Sequence, residues 1–89
     1  MHYMLCKQNV KNFGEFKQTL ASHGPAHQES GFRVQRIWQN MDNPKQVFFI
    51  CEVWDVAKAK AFVKSETERM KASGVSEFPD IYYLSEDSR

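Results

Sequence analysis

The chain has 89 residues, of which 42% are hydrophobic and 26% charged, a balance typical of an ordinary soluble domain rather than a disordered or fibrous segment. Its formal net charge of +1 provides no basic excess for binding nucleic acid or an anionic membrane, and no apolar run approaches the roughly 20 residues of a membrane span. We therefore expect one cytoplasmic domain over 1–89, with an ordered core of about 3–85 and no nucleic-acid or membrane partner.

The chain begins with a predicted strand and a predicted helix. Aromatic, β-branched and small apolar residues mix over Tyr3–Val10, which favours a short strand. Asn12 is a suitable helix cap, and Glu15 follows it at the spacing of a capping box. Apolar residues then repeat at helical spacing, namely Phe13, Phe16 and Leu20.

A glycine and a proline interrupt this helix. Proline disfavours the helical conformation in the residue before it and removes a hydrogen-bond donor, so Gly24-Pro25 predicts a break. We predict a main helix over about Asn12–His23, a kink, and a continuation through Gln28. The continuation is expected to stop at Gly31, in the left-handed conformation that ends many helices.

Two strands are predicted next. Phe32–Met41 alternates in polarity, and this alternation places four side chains on one face: Phe32, Val34, Arg36 and Trp38. The turn Asp42–Lys45 leads to Val47–Trp54, in which Glu52 is the only ionisable residue. We expect this apolar strand to be covered on both faces.

The remaining residues predict a helix and a strand. Asp55 is a suitable cap for a helix that ends at Gly74, and its apolar stripe consists of Val56, Ala59, Phe62, Val63 and Met70. Phe78–Leu84 is predicted as the last strand, followed by a frayed polar tail over Ser85–Arg89.

The predicted order is β-α-β-β-α-β, which indicates an α+β, ferredoxin-like fold with two helices on one face of a four-stranded antiparallel sheet. The other face has no helix, although the third strand is apolar on both sides. A second copy of the chain is the simplest cover, so we predict a homodimer formed by sheet-to-sheet packing.

Four segments of the sequence carry a family resemblance: His27 with Gly31-Phe32, Asp42–Pro44, Phe49–Asp55, and Ala59 with Phe62 and Ser65. They resemble the dimeric α+β-barrel superfamily that includes the antibiotic-biosynthesis-type, cofactor-free quinol monooxygenases. The resemblance implies a dimer, no cofactor, and an aromatic or polyketide-like substrate in a cleft between helices and sheet. The superfamily also includes haem-degrading enzymes, isomerases and stress proteins.

The haem-degrading branch has an asparagine on the first strand, a tryptophan ending the third strand and an iron-binding histidine on the second helix. Asn9 and Trp54 match the first two positions, but the predicted helix Val56–Ser73 contains no histidine. Haem binding in that mode is therefore not expected, although His23 or His27 offers an axial ligand from another direction.

His23 and His27 are the candidate proton-transfer residues. Their spacing places two imidazoles on one face of a regular helix, although Gly24-Pro25 disturbs that regularity and no third metal ligand is nearby. We expect no metal. His23 continues the apolar helix face, so we predict that it points to the sheet and takes a proton from a phenol or quinol, with His27 as a ligand contact. The alternative is a polar helix end.

Trp38, Trp54 and Phe49 are candidate stacking partners for an aromatic ligand, with core packing as the alternative. Arg36, on the face predicted for Val34, needs a partner, either Glu52 or an acidic group of the ligand. Glu52 is then an ion-pair partner or a catalytic acid or base.

Two further residues are weaker candidates for ligand contacts. Tyr83 and Tyr82 alternate, so one faces the helices and the other the predicted dimer interface. Asn9 contacts the ligand or forms the turn after the first strand. Cys6 and Cys51 are expected to be buried thiols.

Three functions remain open from the sequence. The first is a cofactor-independent oxygenase or isomerase with a cleft lined by Trp54, Trp38 and His23. The second is a non-enzymatic dimer that binds a small hydrophobic ligand or a partner protein. The third is a structural or stress-related dimer whose cleft has collapsed.

Overall fold

The computed structural model describes residues 1–75 and 77–87, which form one four-stranded sheet and three helices. The strands are β1 (His2–Asn9), β2 (Phe32–Gln39), β3 (Gln46–Val53) and β4 (Asp80–Ser85). The helices are α1 (Phe13–Ser22), α2 (Gly24–Glu29) and α3 (Val56–Ala72). The predicted polar tail, 85–89, lies partly outside the described residues.

The sheet is antiparallel throughout, with the strand order β2-β3-β1-β4. The predicted ferredoxin-like α+β fold is confirmed. The predicted kinked first helix is present as the two segments α1 and α2, which adjoin at His23. Pro25 lies in the first turn of α2, where the absence of its N–H breaks no helical hydrogen bond.

Side chains cap the two longer helices as predicted. The Asn12 side chain accepts a hydrogen bond from the backbone N–H of Glu15 at 2.9 Å, at the start of α1. Asp55 accepts one from the N–H of Lys58 at 3.0 Å, at the start of α3. Each cap satisfies a donor that the first helical turn leaves unpaired.

Gly31 connects the end of α2 to the sheet and to the start of α3. Its φ of +82° is the left-handed conformation predicted for it. Its carbonyl oxygen accepts hydrogen bonds from the N–H groups of Trp54, at 2.9 Å, and Asp55, at 3.2 Å. A Cβ atom at this position would lie 2.5 Å from Cβ of Asp55, so the close approach requires glycine.

All three helices pack on the same face of the sheet, which we call the helix face. Phe16 and Leu20 of α1 and Val56, Phe62 and Val63 of α3 contact the core there. The buried apolar residues of that core are Met4, Cys6, Phe32, Val47, Phe49, Cys51, Val53 and Ala59.

Strand β2 contains an irregularity that the sequence pattern did not predict. Its pairing with β3 shifts between Val34, opposite Cys51, and Arg36, opposite Ile50. This bulge uses one extra residue, so the alternation changes phase along the strand. The prediction that Arg36 and Trp38 share a face with Val34 is therefore wrong, because both lie on the opposite face of the sheet.

No described helix covers that opposite face, which we call the open face. Its edge-strand residues Trp38, Tyr82 and Leu84 are 47%, 53% and 42% exposed. The residues that the register places there are Tyr3, Leu5, Lys7, Asn9, Arg33, Arg36, Trp38, Gln46, Phe48, Ile50, Glu52, Asp80, Tyr82 and Leu84. Within 1–75 and 77–87, no helix is long and apolar enough to cross a membrane.

Candidate functional site

A cavity of about 110 Å³ lies between the helices and the helix face of the sheet. We call it the inner cavity. Its wall is mostly apolar, and its polar side chains come from His27 of α2 and from Glu66 and Thr67 of α3. The apolar lining consists of Met4, Cys6, Leu20, Phe32, Phe49, Phe62, Val63, Met70, Pro79 and Ile81.

Helix α2 places the imidazole of His27 in the wall of this cavity. The residue is only 6% exposed. Its ring stacks on Phe32, with the centroids 4.8 Å apart and the planes at 26°, and meets Phe62 edge-on at 5.5 Å. Two aromatic rings from different elements therefore fix the orientation of the imidazole.

The ring nitrogens of His27 have no hydrogen-bond partner among the described residues. Every fully buried side-chain nitrogen or oxygen in the described part of the chain does have one. The nitrogens of His27 must therefore reach accessible space, and the residue lines the inner cavity. An imidazole in this position can accept or donate a proton to a molecule bound there.

The surroundings of His27 favour its neutral form. Burial lowers the pKa of the His27 imidazole below its ordinary value of 6.5, the nearby His23 lowers it further, and Glu66 acts in the opposite direction. Glu66 itself bonds Arg69, and this hydrogen bond lowers the pKa of its carboxyl group. At neutral pH the cavity thus contains an imidazole that can accept a proton and a carboxylate.

A second, open space of about 360 Å³ adjoins α1, α2 and the edge strand β2. We call it the outer groove. It shares Leu20 and His27 with the inner cavity. Lys17 contributes a basic side chain to its lining, which also contains Ala21, Gly24, Gln28, Arg33, Val34 and Ile37. The Arg33 side chain itself extends to Glu52 on the open face.

The structure exchanges the expected positions of the two histidines. His23 is exposed and meets the ring of His27 edge-on at 6.1 Å, so the prediction that His23 points to the sheet is wrong. The reason is local: α1 ends at Ser22, and His23 is the residue between the two helices. The apolar face of α1 therefore does not continue to His23, and α2 turns His27 inward instead.

Glu52, Arg36 and Trp38 lie on the open face, away from the inner cavity. The cation that meets Glu52 is Arg33, with Nη2 and Oε1 3.2 Å apart, and not Arg36. Arg33 and Glu52 are directly opposite each other on β2 and β3. Arg33 precedes the bulge and is opposite the carboxylate independently of it, whereas the bulge brings Arg36 onto the same face, opposite Ile50.

The remaining candidate residues are spread over the molecule. Phe49 lines the inner cavity and contacts Phe16, with the ring centroids 5.8 Å apart. Tyr83 faces the helices, below Lys60, and lines a separate depression with Val56. Trp54 follows β3 and is 57% exposed.

Asn9, at the end of β1, donates a hydrogen bond from Nδ2 to Oε1 of Glu77 at 2.6 Å. It lines two surface depressions with Glu77, and neither of them includes His27. The amide is therefore already engaged by a neighbouring side chain.

Phe32, Phe62 and Glu66 line the site but were not among the predicted site residues. Phe32 and Phe62 belong to the predicted apolar patterns of a strand and a helix, where they read as core residues. Glu66 lies four residues after Phe62, which is the spacing that puts two side chains on one helix face. This spacing was the available indication of a carboxylate beside the core.

The two cysteines are buried, unbridged thiols, and the structure places them on neighbouring strands of the helix face. A hydrogen bond with Cys6 and burial raise the pKa of the Cys51 thiol. Within the described residues, no group of three or more histidine, cysteine, aspartate or glutamate side chains is arranged to hold a metal ion.

No family model matches the sequence, and no curated protein matches it. Two solved structures resemble the fold over nearly the whole chain. One is a protein from Deinococcus radiodurans provisionally assigned as an antibiotic biosynthesis monooxygenase, with a TM-score of 0.64 at 9% identity, covering 100% of this chain and 95% of that one.

The other is an uncharacterized NIPSNAP domain protein from Burkholderia xenovorans. Its TM-score is 0.58 at 15% identity, and the match covers 99% of this chain and 96% of that chain. At these identities the two likenesses establish the shared ferredoxin-like fold. The activity has to be argued from the residues of this chain.

Proposed function

We propose that this chain binds a small aromatic molecule in the inner cavity, and that His27 takes a hydroxyl proton from it to start a cofactor-independent oxidation. The observation that carries the proposal is the buried imidazole of His27, which reaches an apolar cavity without a hydrogen-bond partner among the described residues. The nitrogens of His27 reach accessible space, where a ligand hydroxyl would supply the partner that no described residue provides.

The size and lining of the inner cavity support a ligand with one ring. An engineered apolar cavity of about 150 Å³ binds benzene, which is close to the volume found here, about 110 Å³. Phe32, Phe49 and Phe62 offer aromatic surfaces at its wall. A phenol or quinol of one ring suits this site better than the larger polyketide expected from the resemblance.

The proposed reaction uses dioxygen as the oxidant and a quinol as the substrate. His27 accepts a hydroxyl proton, and the electron-rich anion forms a carbon–oxygen bond with dioxygen to give a ring hydroperoxide. Cleavage of the O–O bond and loss of water leave a hydroxyquinone. One oxygen atom enters the product and the other enters water, and the quinol supplies all four electrons.

Two properties of the site support this role for His27. Its lowered pKa keeps the imidazole neutral, and therefore able to accept a proton, at neutral pH. Its ring meets the exposed His23 at 6.1 Å, which offers a route for the proton to solvent. His23 thus retains a catalytic role in the proposal, as a relay rather than as the base.

The open face supports self-association of the chain through this sheet. Apolar side chains run across all four strands of it, and four of its charged groups are paired across strands: Arg33 with Glu52 at 3.2 Å and Lys7 with Asp80 at 3.4 Å. Arg36 forms no ion pair within the described residues. Paired charges reduce the cost of removing the face from water. We propose a homodimer packed sheet to sheet, in the cytoplasm, where free thiols such as those of Cys6 and Cys51 persist.

Oxygen uptake with hydroquinone tests the proposed reaction. We expect the purified protein to consume dioxygen above the rate of spontaneous oxidation, and His27→Phe to lower kcat/KM at least about 100-fold because the base is lost. The matched control is His2→Phe, which makes the same substitution at an exposed histidine that does not line the inner cavity. It should leave the rate unchanged.

Equal rates in His27→Phe and the wild-type protein would contradict the assignment of the base. Saturable binding of hydroquinone without oxygen uptake would favour the second candidate, a ligand-binding dimer. The observation in favour of that alternative is the apolar lining and small volume of the cavity, which are sufficient to hold a ligand but carry out no chemical step.

A further inference from the structure

We infer that the inner cavity selects rings with two hydroxyl groups, of which one bonds His27 and the other bonds the carboxylate of Glu66. This inference rests on the proposed function, because it places the ring of the ligand in the same cavity. It narrows the ligand from phenols in general to quinols, and it assigns Glu66 as the residue that determines this specificity.

The first step is the position of Glu66 beside the imidazole. Glu66 is half-buried and lines the inner cavity together with His27. It follows Phe62 by about one turn of α3, and Phe62 meets the His27 ring edge-on at 5.5 Å. The two groups also act on each other electrostatically, since His27 contributes to the lowered pKa of Glu66. The carboxylate and the imidazole therefore occupy neighbouring parts of one cavity wall.

The second step is the size of the cavity. Its volume of about 110 Å³ is close to that of a cavity that holds one benzene ring. A ring that nearly fills such a space contacts the wall on all sides. Polar groups at two points of the wall can therefore meet two substituents of the same ring.

The third step is the hydrogen-bonding capacity of Glu66. Arg69 donates to Oε2 of Glu66, and Oε1 makes no hydrogen bond to the described residues. The bond from Arg69 lowers the pKa of the carboxyl group, so at neutral pH the group is ionised and can only accept. A ligand hydroxyl can donate to Oε1, whereas a ligand carbonyl or carboxylate would meet another acceptor there.

Thr67 is the other polar residue of α3 in the cavity wall, next to Glu66 in sequence. Its hydroxyl donates to the carbonyl oxygen of Val63 at 2.8 Å, so the hydroxyl hydrogen is already used within the helix. A neutral oxygen is also a weaker acceptor than a carboxylate. Glu66 is therefore the better partner for the second hydroxyl.

Calorimetric titration with hydroquinone and 4-methylphenol, in the absence of dioxygen, tests the inference. The two probes share a ring and one hydroxyl, and a methyl group of similar size replaces the second hydroxyl. We expect hydroquinone to bind the wild-type protein about tenfold more tightly, as one hydrogen bond to a charged group would provide. Glu66→Leu should remove most of this preference and leave the affinity for 4-methylphenol no weaker, because its single hydroxyl bonds His27.

Glu66→Leu should still fold, because the substitution removes only an ion pair with the exposed Arg69, as circular dichroism would verify. Glu68→Leu is the matched control: it removes the same charge from an exposed position of α3 that does not line the cavity. Thr67→Val is a second control within the cavity wall. Both control variants should keep the tenfold preference for hydroquinone.

The outcomes separate this inference from the proposed function. Equal affinities of the wild-type protein for the two probes, or a preference that survives Glu66→Leu, would overturn the assignment of Glu66 and leave the aromatic cavity and His27 standing. A preference lost in Glu68→Leu or in Thr67→Val would also overturn it, since net charge or the threonine hydroxyl would then be the cause. No binding of either probe to the wild-type protein would overturn both proposals.

Discussion

His27 combines features that a residue used only for packing would not need. Phe32 and Phe62 hold its ring at 4.8 Å and 5.5 Å, and its nitrogens make no hydrogen bond to the described residues. A phenylalanine would provide the same aromatic packing without two polar atoms that need a partner outside the described residues.

We expect His27→Phe to unfold with a free energy equal to that of the wild-type protein, or up to about 1 kcal/mol higher, at neutral pH. The substitution keeps an aromatic ring in the site and removes two nitrogens that bond no described residue. Urea denaturation measures this difference. A loss of more than about 2 kcal/mol would mean that the imidazole makes a stabilising hydrogen bond in solution.

The stability of the wild-type protein should also depend on pH through His27. The unfolded imidazole binds a proton near pH 6.5, whereas the folded one binds it only at lower pH because its pKa is lowered. The contribution of His27 to the free energy of unfolding is therefore fully present above pH 6.5. It is lost progressively as the pH falls from there toward the lowered pKa.

Urea denaturation at about pH 7.5 and about pH 5.5 isolates this contribution, because Glu66 titrates below that range. The decrease should be smaller in His27→Phe. Identical pH dependence in the two proteins would contradict the lowered pKa of His27.

At the scale of elements, the corner at Gly31 determines how α2 and α3 meet the sheet. The carbonyl oxygen of Gly31 accepts hydrogen bonds from the backbone N–H groups of Trp54 and Asp55, and Asp55 caps α3. One residue thus links the strand that follows α2 to the helix that carries Phe62 and Glu66. The geometry of the inner cavity depends on this link.

Gly31→Ala should lower the free energy of unfolding by at least about 2 kcal/mol, because it adds a clash with Asp55 to the cost of a left-handed alanine. Gly74→Ala is the matched control: its φ is +85°, but no atom lies within 4 Å of the added Cβ. It should lose only the conformational part, about 1 kcal/mol. Thermal or urea unfolding of both variants measures the difference, and equal losses would contradict the contact with Asp55.

Most of the elements could be predicted from local patterns. The caps at Asn12 and Asp55 and the left-handed Gly31 follow from residue preferences that act over a few positions. The bulge in β2 does not, because both Arg36 and Trp38 fit a continuous alternation equally well. An extra residue in a strand is revealed only by its pairing with the neighbouring strand, which depends on distant parts of the chain.

The site could be predicted only in part, for the same reason. The sequence indicated a histidine pair and an apolar cleft, and Phe49 does line the cavity. It could not show which histidine turns inward, because that depends on how α2 continues after α1. It also could not place Glu52 on the open face, since the phase of a strand that is apolar on both sides is ambiguous.

At the scale of the whole molecule, the open face links stability to association. Trp38, Tyr82 and Leu84 leave a large apolar surface on a chain of 89 residues, which has little core of its own. Burying about 1,000 Å² of such surface contributes roughly 25 kcal/mol before the entropic and desolvation costs of association. A partner sheet would make this face part of a shared core.

Leu84→Glu should weaken the dimer at least about 30-fold, because it buries a carboxylate in both copies. Leu84 lies on an edge strand and is partly exposed, so each chain should still fold, as circular dichroism would verify. The control Ala61→Glu adds the same charge to an exposed position of α3 and should leave the dimer intact. Analytical ultracentrifugation measures both, and a monomeric wild-type protein would contradict the proposed assembly.

The most direct test of the site is the nuclear magnetic resonance of the histidine rings while phenol is added to the isotope-labelled protein. The three histidines provide internal controls, because His2 and His23 are exposed and His27 lines the cavity. We predict saturable shifts of the His27 ring nitrogens, with His2 unmoved. Saturable binding that leaves the His27 resonances unchanged, or no binding of phenol, would contradict the assignment of the inner cavity as the ligand site.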